Sequence, residues 1–171
     1  MTLVSLAAAM DGLTVTAGGA RFCIPVSAIG RIEAIRAVTR VPGQPLWVRG
    51  VLQADGQVVL VIDLGLVVGD ARAPVCSRTH IVFLRGEGRG LGLAVDALGE
   101  VVKLRCEDAF ACGAHASPAR AALTLAWHNG DQGLLEVLDP RALFEFGTPP
   151  RAHAAAIDSS CCDKVAAGAT S

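Results

Sequence analysis

The sequence predicts an all-β chain, a duplicated small β-barrel with a pseudo-twofold arrangement, and three observations point to it. Short apolar runs rich in Val, Ile and Leu recur between Gly, Pro and Asp clusters, which is the spacing of strands rather than helices. Two segments repeat in the same order along the chain. The composition is aliphatic, 52% hydrophobic with five Phe, two Trp and no Tyr, which suits many short buried strands and disfavours stacking platforms for bases or sugars.

Strands are expected at Leu13 to Ala17, Arg21 to Pro25, Val58 to Ile62, Thr79 to Leu84, Gly90 to Val95 and Leu134 to Leu138. Gly18-Gly19 and the stretch Gly86 to Gly90 each join two runs, as hairpin loops do. The second stretch leads into a strand, so it is no phosphate cradle, which would open a helix.

The repeat sets the organisation. FCIPVSAIGRIEAI, from Phe22, matches LGLAVDALGEVVKL, from Leu91, so that Val26 meets Val95, Ile32 meets Val101 and Gly30 meets Gly99. DGQVVLVIDLGLVV, from Asp55, matches DQGLLEVLDPRALF, from Asp131. Ser27 and Asp96 follow equivalent strands, as do Asp63 and Asp139, and each is expected to cap a short helical turn. Pro140 suits a first helical position. One domain is expected over 1–146, with a first copy at about 13–68 and a second at about 79–146, and with interchange of terminal strands allowed. Residues 69–78 join the copies, 105–120 form an irregular loop, and 147–171 read as a flexible Ala- and Ser-rich tail.

Several function classes are excluded. Fifteen Lys and Arg nearly cancel sixteen Asp and Glu, leaving no field that would draw phosphate backbones, so no nucleic-acid partner is expected. The longest apolar stretch, Val58 to Val68, carries Asp63 and falls short of the ~20 residues of a membrane span. The N-terminal MTLVSLAAAM lacks the basic residue of a signal peptide, and a cytoplasmic location is expected. The six cysteines show no C-x-x-C spacing and read as reduced thiols. Cys106, Cys112 and His115, with His128, are soft in type but match no common zinc module, so no metal is expected. Asp63, Asp96 and Asp139 read as caps rather than acid-base groups, and no nucleophile constellation is visible. Neither an enzyme nor a cofactor is expected.

Five segments in order, IPVSAIGRI, QPLWVRGVL, ADGQVVLVIDL, GLGLAVDALGEV and DQGLLEVLDPRALF, carry a further likeness. Over roughly Leu13 to Phe144 the chain resembles the CheW-like adaptors of bacterial chemotaxis. The resemblance implies two SH3-like five-stranded barrels and no catalysis. It also implies a scaffold that couples the cytoplasmic tip of a chemoreceptor (a methyl-accepting chemotaxis protein) to the regulatory domain of a CheA-type histidine kinase, with the membrane met only through the receptor. A divergent role in another two-component or surface-motility pathway, or an unrelated small-barrel binding module, is the alternative.

Eight residues are singled out for partner binding. Ile29 and Ile32 match the positions that the family uses around its receptor-facing groove, and the alternative is that both are core, the commoner place for an aliphatic residue in a small barrel. Arg31 stands where the family usually has Glu, and Asp55 where a turn usually has Arg, followed by Gly56. With both signs exchanged, Arg31 and Asp55 are expected to form a salt bridge that braces the loop from Gln53 to Gly56. Trp47 is either an anchor for a contact or packing beneath its own loop. Arg49, before Gly50, can meet a partner carboxylate bidentately or remain a solvated rim residue.

Overall fold

A computed structural model describes residues 9–68, 78–86, 90–110, 118–130 and 133–147. The described residues are mostly β. In chain order they form β1 (Met10–Ala17), β2 (Ala20–Pro25), β3 (Ile29–Ala34), β4 (Val48–Ala54), β5 (Gln57–Asp63), α1 (Leu64–Val68), β6 (His80–Leu84), β7 (Gly90–Val95), β8 (Ala97–Leu104), β9 (Ala109–Phe110), α2 (Pro118–Leu123), β10 (Thr124–Gly130), β11 (Gly133–Leu138) and α3 (Pro140–Phe146). Single 3-10 turns at Val26–Ala28 and Cys106–Asp108 complete the path.

The strands make two sheets, a six-stranded one in the order β8-β1-β2-β11-β10-β9 and a five-stranded one in the order β3-β6-β7-β5-β4. Each sheet draws on both halves of the chain, because the chain changes sheet between β2 and β3 and again between β7 and β8. The sequence repeat carries β8-β1-β2-β11-β10 onto β3-β6-β7-β5-β4 strand for strand. The two parallel contacts, β2 with β11 and β7 with β5, are equivalent under it. One expectation is corrected: neither sheet closes into a barrel, and one has six strands rather than five. The extra strand is β9, which pairs with β10 at only two positions.

Strand alternation explains why the runs are apolar on both faces. In β6, Val82 and Leu84 enter a large core between the sheets, while Ile81 and Phe83 enter a second core inside the five-stranded sheet. In β2, Phe22 and Ile24 join the shared core and Cys23 joins a third, with Leu104, Leu135 and Val137. Three aliphatic cores thus absorb the hydrophobic composition without any long apolar segment. Among the described residues no helix is long and apolar enough to cross a membrane.

The turns follow their chemistry. Gly18 and Gly19 adopt φ of 60° and 80° in the β1–β2 hairpin, the left-handed pair that a two-residue turn requires. Asp139 caps α3 by accepting from the Arg141 N–H at 2.9 Å, and Asp63 accepts from the Leu66 N–H at 3.1 Å at the head of α1. Ser27 and Asp96 do not cap helices. Ser27 lies inside a 3-10 turn that has no side-chain cap, and Asp96 accepts instead from the Gly18 N–H at 2.8 Å. A short helix, α2, occupies the end of the stretch read as an irregular loop. The tail at 148–171, most of the join, and Cys76, Cys112, His115, Cys161 and Cys162 lie outside the described residues.

Burial pushes the Cys23 thiol up to about 12 from an ordinary value of 9.0. The neutral thiol is the buried form. Below pH 9 its burial therefore carries no pH-dependent cost, and between there and about 12 the unfolded chain ionises first, so stability falls as pH rises. Cys23 is accordingly expected to resist iodoacetamide in the native protein at mildly alkaline pH and to react in urea, as read by peptide mass spectrometry. Rapid native alkylation would contradict its burial.

Candidate functional site

The β4–β5 hairpin organises the site. Asp55 and Gly56 form its two-residue turn with φ of 50° and 74°, a conformation that Asp-Gly favours. The Asp55 side chain is 79% exposed. It forms an ion pair with Arg31 on the edge strand β3, so the predicted salt bridge is present.

That pair belongs to a longer chain of alternating charge. Arg31 Nε lies 2.8 Å from Glu33 Oε1, Glu33 lies 3.3 Å from Arg36, and Arg36 donates to the Gln53 carbonyl at 3.3 Å. The Arg31 guanidinium also stacks over the Phe83 ring, 4.3 Å from its centroid, where the negative face of the ring favours a cation. Beside the pair runs a groove of about 230 Å³ lined by Ala54, Val59, Phe83 and Leu91 among others. β3 and the hairpin are thus tied across the open end of the five-stranded sheet.

Reversing single charges here should be non-additive. Arg31→Glu and Asp55→Arg are expected to couple by about 0.5–1 kcal/mol, the scale of a solvent-accessible pair. The double reversal should still unfold more easily than the native chain, because Glu at 31 would face the Phe83 ring and stand beside Glu33. A double-mutant cycle in urea measures both effects, and strict additivity would contradict the pairing.

The opposite end of β4 holds a second cluster. Asp63, with a side chain 2% exposed, receives Arg78 through Nε at 2.8 and 2.9 Å and Nη2 at 2.6 Å. It also receives Arg49 Nη1 at 3.1 Å. Arg78 continues to Asp96, whose other oxygen holds Gly18. The cluster therefore joins the β1–β2 hairpin of one sheet to the ends of β5 and β7 in the other. Burial alone would lower the Arg78 pKa, but hydrogen bonds and charge from Asp63 and Asp96 outweigh it and the pKa is raised.

The predicted residues divide between these two places. Arg31, Asp55 and Gly56 gather at the hairpin end, and Ile29 and Ile32 flank Arg31 along β3. Trp47, Arg49 and Gly50 lie at the other end of β4, roughly 20 Å away by strand rise. Ile29 is half-buried against the shared core, while Ile32 is exposed. Trp47 is half-buried against the shared core, its ring 4.7 Å from that of Phe146 in α3. Arg49 is neither free nor merely solvated, since Asp63 pins one of its nitrogens. Gly50 is buried, with φ of 142°, and contributes conformation. Glu33, Phe83 and Arg78 were not singled out from the sequence, and Arg78, at the end of the join between the copies, sits in no recognisable motif. Among the described residues no group of three or more His, Cys, Asp or Glu is placed to hold a metal.

The comparisons with known proteins agree with one another. The chain is 28% identical over 91 residues to the chemotaxis protein CheW of Rhizobium meliloti (strain 1021), covering 53% of this chain and 59% of that protein. It is 26% identical over 96 residues to the chemotaxis protein CheW of Klebsiella aerogenes, covering 56% and 58%. The matched stretches span less than two thirds of these relatives. The crystal structure of the scaffolding protein TtCheW from Thermoanaerobacter tengcongensis superposes with a TM-score of 0.67 at 16% identity, covering 76% of this chain and 88% of that one, a likeness of fold. The family model for the CheW-like domain matches residues 11–146, and with four-fifths of its length so matched the chain belongs to the CheW-like domain family.

Proposed function

We propose that this chain is a non-enzymatic chemotaxis scaffold that couples the cytoplasmic tip of a chemoreceptor to the regulatory domain of a CheA-type histidine kinase. The family match over residues 11–146 carries the reading. The two separate sheets support it, because they offer two surfaces, one for each partner. Contacts of this kind are individually modest, and simultaneous engagement supplies the avidity. The protein acts in the cytoplasm and meets the membrane only through the receptor.

The braced hairpin is the partner contact in this proposal. Ile29, Ile32, Gly56 and the exposed Asp55 carboxylate supply an apolar patch with a charged rim, the composition that sets register in a protein interface. At the far end of β4, Arg49 pairs with Asp63 through Nη1 yet remains 35% exposed, two residues from Trp47. Gly50 fixes the backbone that aims it.

Retention of kinase regulatory domains and receptor tips from the same genome on the immobilised, folded protein tests the proposal. At least one kinase domain and one receptor tip are expected to be retained. Asp55→Lys is expected to weaken one partner about tenfold, within the range of a truncated interfacial charge. Retention of neither partner would refute the proposal.

A further inference from the structure

A groove of about 550 Å³ lies away from the hairpin site, where β8 faces β10 and β11 across the unclosed side of the six-stranded sheet. β8 ends the strand order, so among the described residues no strand pairs with its outer edge. The Arg105 N–H bridges the gap by donating to His128 Nε2 at 3.1 Å.

That bond fixes the chemistry of the ring. With Nε2 accepting, a neutral His128 carries its proton on Nδ1. His128 is 3% exposed, and its Nδ1 is buried with no hydrogen-bond partner. A buried donor without an acceptor is costly, and native structures rarely leave one without a reason. Gly130, which lines the same groove, lies against this edge of the ring. A Cβ there would stand 2.9 Å from Cε1 and 3.2 Å from Nδ1. Gly130 is not among the positive-φ glycines, so its lack of a side chain serves space rather than backbone conformation.

The remaining lining favours an anion on an apolar body. Lys103 lies on the groove without an ion-pair partner among the described residues, and Val102 and Leu135 give apolar walls. Of the groove's carboxylates, Glu100 has partners of its own. Asp108 lies on the Nε2 side of the ring, at 3.9 Å.

We propose that this groove binds an extended acidic segment of a partner protein, which runs along the open edge of β8 and places one carboxylate between His128 Nδ1–H and the Lys103 ammonium. Strand addition supplies the backbone hydrogen bonds that an open edge lacks. The carboxylate supplies the acceptor that Nδ1 lacks. The proposal is independent of the scaffold reading.

The test is a titration of the full-length, isotope-labelled protein with a capped heptapeptide bearing one central glutamate among valines and threonines, followed by NMR. Saturable shifts are expected at the His128 ring nitrogens and at the β8 amides. The glutamine version should bind about tenfold more weakly, the measure of a charge-assisted hydrogen bond. Lys103→Gln, a substitution at an exposed position, should weaken the glutamate peptide by about fivefold. The proposal fails if millimolar peptide gives no saturable shift, if the glutamate and glutamine peptides bind alike, or if Lys103→Gln changes nothing. Pentanoate alone binding as tightly as the peptide would assign the groove to free acids and overturn the peptide occupant.

Discussion

Replacing Arg78 with leucine is expected to lower the free energy of unfolding by about 3–5 kcal/mol, the cost of leaving a buried charge without its partner. Arg78 and Asp63 each have side chains only 2% exposed, and Asp96 is 11% exposed. Removing the cation that both carboxylates share leaves Asp63 with Arg49 and the Leu66 N–H, and Asp96 with the Gly18 N–H, so two largely buried negative charges lose the buried guanidinium that balances them. Arg49→Leu is expected to cost far less, because that side chain is 35% exposed and Asp63 keeps Arg78. Urea unfolding of both variants measures the difference. A loss below about 1 kcal/mol for Arg78→Leu, the scale of an exposed pair, would mean that the cluster is solvated.

Gly50→Ala is the second large effect. Its φ of 142° lies in a region that L side chains rarely adopt, which alone costs about 1–3 kcal/mol. A Cβ at position 50 would also stand 2.2 Å from the Thr39 carbonyl oxygen, which accepts from the Val51 N–H at 2.8 Å. The backbone must move, and the Thr39–Val51 bridge that steadies the edge of β4 is lost with it. A fall in melting temperature together with faster exchange of the Val51 amide is expected. An unchanged Val51 exchange rate would contradict the steric account.

Much of the strand pattern was legible because buried strands leave apolar runs. Val58 to Ile62 lies within β5, and Gly90 to Val95 is β7. β8 and β10 were harder to see. β8 is largely exposed along its length, and β10 places Thr, His and Asn among its apolar positions. Which sheet each strand joins was not legible either. The change of sheet at Val26–Ala28 and at Asp96 depends on pairings between the two halves, which leave no local signal.

The candidate site divided along the same line. Arg31 and Asp55 were recognisable as an exchanged pair because each stands where the resembled family usually carries the opposite charge. The cluster at Asp63 was read only as a cap. Its second role depends on Arg78, fifteen residues away at the end of an unpatterned join. Asp96 and Ser27 occupy equivalent repeat positions, yet only Asp96 meets Arg78 and Gly18. Equivalent positions in the repeat thus carry different chemistry once a single long-range cation arrives.

The most direct test of the scaffold account is whether both partners are held at once. The protein, a receptor-tip fragment and a kinase regulatory domain from the same genome are mixed and resolved by size-exclusion chromatography with light scattering. One peak containing all three chains is predicted, with the mass of a ternary complex, because the proposed scaffold holds its two partners on separate surfaces. Mutually exclusive binary complexes, in which either partner displaces the other, would contradict it.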